Sequence, residues 1–377
     1  MNKFSEIANV VDVYLVGGAV RDRLSWNPDS SYISLPKDYD YCAVIKEGVD
    51  VDHAVSVIDS VFTRIKSGAL VWTDSDNNIE ISLARREVST GNGYSQFEYE
   101  YDGVTIEEDL KRRDFTINAM AIPVDSDDGV GLWIDVDDVI DPFDGIHDIQ
   151  NGLIRSVPTS SMDDDPVRAF RAVRFECQLK GFVMEPQTLN QVYCVLNSTR
   201  VSQFDDVTKN ACRREILRAC DTTNHMPLIN RFVGAGLIDR PSLLDMVNMR
   251  TRNIATTAYD RYMQLAVMTN TVPGELCMTN ADKRVYRAVR GLVADANKIA
   301  SATPIFNSLH SWQLIDGSNK QTDVIMSAIR HGFPREYKLI ALALDVAQNN
   351  PPKPDKAPIA MLGDWVSELK KRIQCDF

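Results

Sequence analysis

The sequence predicts an α/β or α+β head followed by an all-helical remainder. Three observations lead there. At 377 residues the chain is too long for one ordinary core and implies two to four domains. From about residue 10 to residue 122, short β-rich runs alternate with helical ones. Beyond residue 200 the apolar spacing is helical throughout.

The first element is Val13–Val16, a short apolar run followed at once by Gly17-Gly18-Ala19-Val20-Arg21-Asp22. A strand, a double glycine and a helix start form a phosphate-cradling arrangement. The glycines admit backbone N–H groups to an anion, and the helix N-terminus favours negative charge. Arg21 adds a guanidinium fork for phosphate oxygens. A polar, turn-rich loop from Trp26 leads to Leu35-Pro36-Lys37-Asp38-Tyr39-Asp40-Tyr41-Cys42-Ala43-Val44-Ile45, whose second half reads as a strand. Side chains on a strand alternate faces, so Asp38 and Asp40 share one. Two adjacent carboxylates repel, and a divalent cation holds both ionised. Mg²⁺ suits them because it keeps positions for waters and substrate phosphates.

Val51–Phe62 has helical spacing, and Ile79–Arg85 is an alternating strand on which Glu80 is a candidate third carboxylate. Thr90-Gly91-Asn92-Gly93-Tyr94 reads as a loop, either a mobile one or a plain turn. Glu107 to Lys111 opens acidic and turns basic, the order a helix dipole favours. It runs on through Arg112-Arg113-Asp114 into the apolar Phe115–Ala121, with Thr116–Ile122 expected as a strand. Charges joined so tightly to a core segment face a cleft, where Arg112, Arg113 and Asp114 can hold ribose and phosphates. Asp135 to Asp148 reads as acidic and turn-like, and His147-Asp148 as structural.

Asp163-Asp164-Asp165-Pro166-Val167-Arg168 starts a helix, with Asp at the cap and Pro in the first turn. Arg168, Arg171 and Arg174 then recur on neighbouring positions of one face. A carboxylate accepts hydrogen bonds and a guanidinium donates them. Cytosine and adenine both present an amino donor beside a ring-nitrogen acceptor, so the pair Asp165 and Arg168 can select C and A without a template. Helices are expected over Val207–Cys220, Met226–Ala235, Ala255–Thr269, Ala281–Ala294, Thr322–Arg330 and Lys338–Gln348, then a Pro-rich linker over Asn349–Pro358 and a last helix to Ile373. Lys283, Arg284, Arg287 and Arg290 form a basic stripe, a candidate surface for a phosphate backbone.

Composition narrows the class. Seven cysteines, an odd number without Cys-x-x-Cys spacing, argue for a reducing compartment without a disulfide framework or zinc site. The start of the chain has no apolar signal core, and the longest apolar run, Leu339 to Leu344, is too short to span a bilayer. A cytoplasmic, non-membrane protein is expected. The net charge of −12 divides unevenly. Residues 1–199 carry 17 Lys+Arg against 35 Asp+Glu, and residues 200–377 carry 24 against 18. An acidic, metal-holding head joined to a basic tail fits an enzyme acting on a nucleic-acid backbone.

The motifs LVGGAVRD (15–22), PKDYD (36–40), LARRE (83–87), GNGY (91–94), EEDLKRRDFTINAMA (107–121), IDPFDGIHDIQNGLIRSV (140–157) and DDDPVRAFRAVRF (163–175) together resemble the class II tRNA nucleotidyltransferases. That family comprises the CCA-adding enzymes and bacterial poly(A) polymerases, and the wording is similar to the gammaproteobacterial CCA-adding type. The resemblance implies an α+β fold: a nucleotidyltransferase head with a mixed β-sheet (1–140), then a helical neck (141–200), body (201–348) and tail (349–377). It implies template-independent addition of C, C and A to the tRNA 3′ end from CTP and ATP, with release of pyrophosphate. Two Mg²⁺ ions would be held by Asp38 and Asp40, with Glu80 a candidate beside them. Gly17, Gly18, Arg21 and Asp22 fall in its triphosphate motif. Arg112, Arg113, Asp114 and Asn118 fall in its nucleotide motif, and Asp165 and Arg168 in its amino-acid template, with Arg171 and Arg174 following on the same helix. The partner would be the acceptor end and elbow of tRNA. The loop Arg23–Pro36 is longer than the family's usual link, and the match fades beyond about residue 200. No appended phosphohydrolase domain is expected, hence no phosphatase activity. A poly(A)-adding enzyme and a non-catalytic RNA-binding relative are the alternatives.

Overall fold

The computed structural model describes residues 3–25, 39–65, 69–90, 97–124, 136–159, 162–238, 257–268, 276–296, 303–314, 319, 321–349 and 362–376. The chain forms two compact units, Met1–Val195 and Leu196–Phe377. Asp38, the loop ending at Pro36, the Gly91–Tyr94 turn and the Pro-rich linker lie outside the described residues.

The first unit opens with helix α1 (Lys3–Ile7), strand β1 (Val11–Val16), helix α2 (Gly18–Leu24), strand β2 (Tyr39–Ile45) and helix α3 (Val51–Val61). Strands β3 (Thr63–Arg64), β4 (Val71–Asp74), β5 (Ile79–Leu83), β6 (Arg86–Ser89) and β7 (Phe97–Glu100) follow. Helix α4 (Ile106–Lys111), strand β8 (Ala121–Pro123), helix α5 (Gly145–Gln150) and strand β9 (Leu153–Ile154) lead to helix α6 (Val167–Gln178), strand β10 (Val183–Met184) and helix α7 (Pro186–Val195). Six strands make one sheet in the order β3-β4-β5-β2-β1-β8. The β2–β5 pair is parallel and the other four are antiparallel, so the sheet is mixed.

Alternation along β1 and β2 divides the side chains between two cores. Val11, Val13, Leu15, Tyr41 and Ala43 pack with Phe4, Ala54 and Ile58 from α1 and α3. Val16 and Cys42 pack on the other face with Ile106 and Leu110 of α4, Ala119 and Ala121. Asp40, two residues from Cys42, shares this second face at its open end.

Two expectations are corrected. Thr116–Ile122 is not one strand: Thr116–Asn118 curls into a 3₁₀ turn, and only Ala121–Pro123 pairs with β1. The turn closes through its own backbone, Asn118 N–H to the Phe115 carbonyl at 2.9 Å and Ala119 N–H to that of Thr116 at 3.0 Å, and side chains brace it: the Thr116 hydroxyl donates to Asp148 at 2.7 Å and Asn118 Nδ2 to Asp114 at 3.2 Å. The end of Asp135–Asp148 is not turn-like either, because α5 begins at Gly145. The Asp141 carboxylate accepts from the Gly145 and Ile146 N–H groups at 2.7 and 2.9 Å, satisfying donors that the helix start leaves open. A Cβ on Gly145 would stand 2.4 Å from the Thr116 carbonyl oxygen, so only glycine lets α5 approach that turn. Asp148 also accepts from Arg155 Nε at 3.0 Å, a structural setting for the His147-Asp148 pair.

The second unit is helical throughout its described residues: Ser198–Gln203, Asp206–Cys220, Met226–Gly234, Ala258–Met268, Asn280–Ala296, Thr303–Ser311, Thr322–Gly332, Pro334–Asn349 and Leu362–Asp376. Ser198–Gln203 and Thr303–Ser311, like α7 in the first unit, had no counterpart in the sequence reading. Arg213 on the second of these helices grips the buried Asp282 with two donors at 2.6 and 2.8 Å, and the Tyr259 hydroxyl donates to the same carboxylate at 2.9 Å.

Candidate active site

The site grows from the turn between β1 and α2. Gly17 has φ of +72° and ψ of −136°, a conformation that a Cβ disfavours. A Cβ built there would lie 3.3 Å from Arg113 Nη1 and 3.9 Å from Asp40 Oδ2. A glycine turn, a carboxylate and a guanidinium edge, from three separate stretches of sequence, therefore meet at one point.

Asp40 stands opposite Glu80 in the parallel β2–β5 register, and both residues are exposed. Partial desolvation, and then the Asp40 charge, push the Glu80 carboxyl above its ordinary range. Two neighbouring carboxylates on an open sheet face, one with its proton affinity raised by the other, fit a hard divalent cation, which takes oxygen ligands. Among the described residues no group of three or more His, Cys, Asp or Glu forms a ready-made cage. Asp38, the expected first ligand, is outside them.

Arg21 is placed differently from an open fork. It is 5% exposed, donates through Nη1 to Asn118 Oδ1 at 2.7 Å and through Nε and Nη2 to Asp22 at 2.8 and 2.6 Å, and lies over the Phe175 ring at 5.2 Å. Asn118 passes the contact on to Asp114, whose other oxygen accepts from Arg171 Nη1 at 2.7 Å. Burial would raise the Asp114 carboxyl, but the Arg171 charge, the hydrogen bonds from Arg171 and Asn118, and the nearby Arg168 hold it down at about 2. The chain Asp22–Arg21–Asn118–Asp114–Arg171 thus ties the glycine-turn helix to α6.

Arg112 and Arg113 converge on a buried carboxylate the sequence reading did not single out. Asp109 Oδ1 accepts from Arg112 Nε at 2.8 Å and Oδ2 from Arg113 Nη2 at 3.0 Å. Burial opposes its ionisation, yet the two guanidinium charges and their hydrogen bonds hold its carboxyl at about 2. Glu87 Oε1 takes Arg112 Nη1 and Arg85 Nε, both at 3.1 Å. The spacing of three and four residues between Asp109 and the arginines was the available signal.

On α6, Pro166 occupies the cap position and Asp165 precedes it, accepting from the Val167 N–H at 3.1 Å. The expected Asp cap therefore sits one residue earlier. Arg168 Nε lies 3.6 Å from Asp165 Oδ2, and Arg168 Nη2 donates to the Arg112 carbonyl at 3.0 Å. Burial pushes the Asp165 carboxyl up, against the pull of Arg168 and Arg171. Arg174 is turned aside: it donates to Gln178 and stacks on Phe175 at 4.1 Å. In the second unit, Arg284, Arg287 and Arg290 are exposed on the helix Asn280–Ala296, Lys283 is half-buried, and Arg290 also reaches the Tyr286 hydroxyl at 3.3 Å.

Comparison with known proteins adds three findings. Residues 13–155 match the Poly A polymerase head domain. The chain is 35% identical over 180 residues to the "Multifunctional CCA protein" of Acidovorax ebreus (strain TPSY), covering 48% of this chain and 37% of that protein. It is 32% identical over 238 residues to the protein of the same name from Polaromonas naphthalenivorans (strain CJ2), covering 59% and 53%. The chain thus spans about half or less of the length of these curated relatives. Its fold is similar to that of the Thermotoga maritima CCA-adding enzyme complexed with tRNA, with a TM-score of 0.53 and 19% identity over 100% of this chain and 90% of that one.

Proposed function

We propose, from a head whose residues 13–155 match the Poly A polymerase head domain, that this chain is a template-independent RNA nucleotidyltransferase adding C, C and A to the 3′ end of tRNA. CTP and ATP are the substrates and pyrophosphate the second product. The observation that carries the reading is the meeting of Gly17, Asp40 and Arg113 at one point. Its relatives' name, Multifunctional CCA protein, supports the choice of nucleotides.

In this reading the backbone at Gly17 and Gly18 and the free edge of Arg113 receive the triphosphate, while Arg21 braces the turn through Asn118. Asp40, with Asp38 before it in sequence and Glu80 beside it, would hold Mg²⁺. When bound, the ions supply charge stabilisation to the triphosphate and a more acidic attacking hydroxyl. Asp114, kept ionised by Arg171, offers acceptor capacity to the ribose. Asp165 and Arg168 present an acceptor beside a donor, the complement of the amino and ring-nitrogen edges of C and A. The finer division follows: a head over 1–140, a nucleotide-selecting neck over 141–200, a tRNA-binding body over 201–348 carrying the Arg284, Arg287 and Arg290 stripe, and a linker with tail helix over 349–377. The protein acts in the cytoplasm. Among the described residues no helix is long and apolar enough to cross a membrane.

The test is nucleotide addition to a tRNA lacking its CCA end, with Mg²⁺ and each nucleoside triphosphate separately, then with CTP and ATP together. Growth by two C and one A followed by arrest is expected. Long A-only tails would reassign the chain to poly(A) addition, and no incorporation would leave an RNA-binding relative. Asp40→Ala should abolish addition while tRNA binding, measured by filter retention, changes little. Undiminished turnover in that variant would defeat the metal assignment.

A further inference from the structure

We propose that Asp109 is a positioning residue that sets which edge of the Arg113 guanidinium faces the Gly17 turn, and so sets the grip on the nucleotide's triphosphate. The proposal rests on the nucleotidyl-transfer reading above. Asp109 is fully buried in the first turn of the short helix α4. That short helix is fixed at its start by a reciprocal cap, in which the Thr105 hydroxyl accepts from the Glu108 N–H and the Glu108 carboxylate from the Thr105 N–H. Oδ1 of Asp109 accepts from the Arg85 N–H at 3.2 Å and from Arg112 Nε at 2.8 Å. Oδ2 accepts from Arg113 Nε at 3.3 Å and Nη2 at 3.0 Å. The carboxylate thus joins the Arg85 backbone to both arginines.

The two arginines are not equivalent. Arg112 is held on both sides, by Asp109 and by Glu87. Arg113 is held along one edge only. A guanidinium is planar and its donors sit in a rigid fork. Pinning Nε and Nη2 therefore fixes where Nη1 points, and Nη1 is the atom 3.3 Å from the Cβ position of Gly17. Among the described residues Nη1 has no hydrogen-bond or ion-pair partner. An anion at the glycine turn would meet a donor whose aim is already set. The side chain then loses little conformational freedom on binding, which favours affinity. A purely structural Asp109, neutralising two neighbouring arginines, would give the same burial but would not tie triphosphate affinity to Arg113.

The experiment measures Mg²⁺-free binding of inorganic tripolyphosphate to the full chain by calorimetry, with single-nucleotide addition of CTP alongside. Asp109→Asn and Arg113→Ala should each weaken tripolyphosphate by about tenfold or more, the scale of a charge-assisted hydrogen bond. The KM for CTP should rise with it. In the Arg113→Ala background, Asp109→Asn should add almost nothing, because the carboxylate acts through that arginine. A buried charge change risks the fold, so thermal unfolding is followed in parallel, and Asp109→Glu, which keeps the charge but shifts it by one methylene, replaces Asp109→Asn if the latter does not fold. Tripolyphosphate affinity unchanged in Arg113→Ala overturns the proposal whatever the Asp109 variants do. So does an Asp109 effect that persists undiminished in the Arg113→Ala background. A wild-type chain that neither binds tripolyphosphate nor incorporates nucleotide overturns the functional reading itself.

Discussion

Asp165 is the residue on which nucleotide choice turns in our reading, and its environment makes the expectation specific. It is buried, its carboxyl is pushed up by that burial, and the Arg168 and Arg171 charges work to keep it ionised. Removing it takes away the carboxylate that stands beside the Arg168 guanidinium. Asp165→Ala should blur selection, with UTP and GTP incorporation rising relative to CTP and ATP by an order of magnitude or so. Competition between labelled triphosphates measures this, and unchanged selectivity would rule out the pair as the selector. Asp109 and Asp114 govern a different property at the same scale. Both have native pKa values of about 2, below the roughly 3.9 of an unfolded aspartate. Their contribution to stability is thus complete above about pH 5 and is lost as pH falls from about 4 towards 2. The thermal unfolding midpoint should fall across that window, and more shallowly in Asp114→Asn. A midpoint equally steep in wild type and variant would refute the linkage. Sequence reasoning reached Asp114 through its place between Arg113 and the apolar run. It passed over Asp109 because a buried acid inside a run of surface acids looks like its neighbours until the fold covers it.

At the scale of elements, packing overruled local pattern where side-chain hydrogen bonds favoured a turn. Phe115–Ala121 is apolar enough to be a strand, but Thr116 and Asn118 are drawn to Asp148 and Asp114, and the ladder begins only at Ala121. Helix α5 leans on that turn through Gly145. Gly145→Ala would place a methyl 2.4 Å from the Thr116 carbonyl oxygen, too close for contact without backbone movement. It should lower stability by about 1–3 kcal/mol, the usual range for overpacking, despite alanine's better helix propensity. Denaturant unfolding tests this, and a neutral or stabilising result would mean the α5 approach is adjustable. The glycine turn and strands β1, β2 and β5 were legible because their signals are local: a short apolar run, a β-rich run, period-two alternation and a Gly-Gly break. The β6–β7 ribbon was not, since Arg86 and Glu87 carry charges that pair only after folding, with Glu108 and with Arg85 and Arg112.

At the scale of the whole molecule, the charge asymmetry becomes a statement about RNA. The acidic first half and the net positive second half coincide closely with the two compact units. Much of the first unit's charge is consumed internally, in pairs such as Asp114 with Arg171 and Asp148 with Arg155. The exposed Arg284 and Arg287 remain on the surface of the second. If these contact phosphates, Arg284→Ala and Arg287→Ala should each weaken tRNA binding uniformly across tRNAs and reduce the slope of log affinity against log salt by about 1. A slope equal to that of wild type would assign the stripe to a solvated face.

The sequence by itself determined that there are two kinds of unit and that a glycine turn precedes a strand bearing a carboxylate, Asp40. These follow from periodicity and from spacing along the chain, which act over a few residues. Only the tertiary structure decided the division of labour: Arg21 is buried against Asn118, Asp22 and Phe175, Arg174 is turned aside, and Arg113 is aimed at the turn. The reason is physical. A guanidinium pairs with whichever carboxylate or ring the fold brings within about 3–6 Å, and those partners lie up to 154 residues away in sequence, as for Arg21 and Phe175.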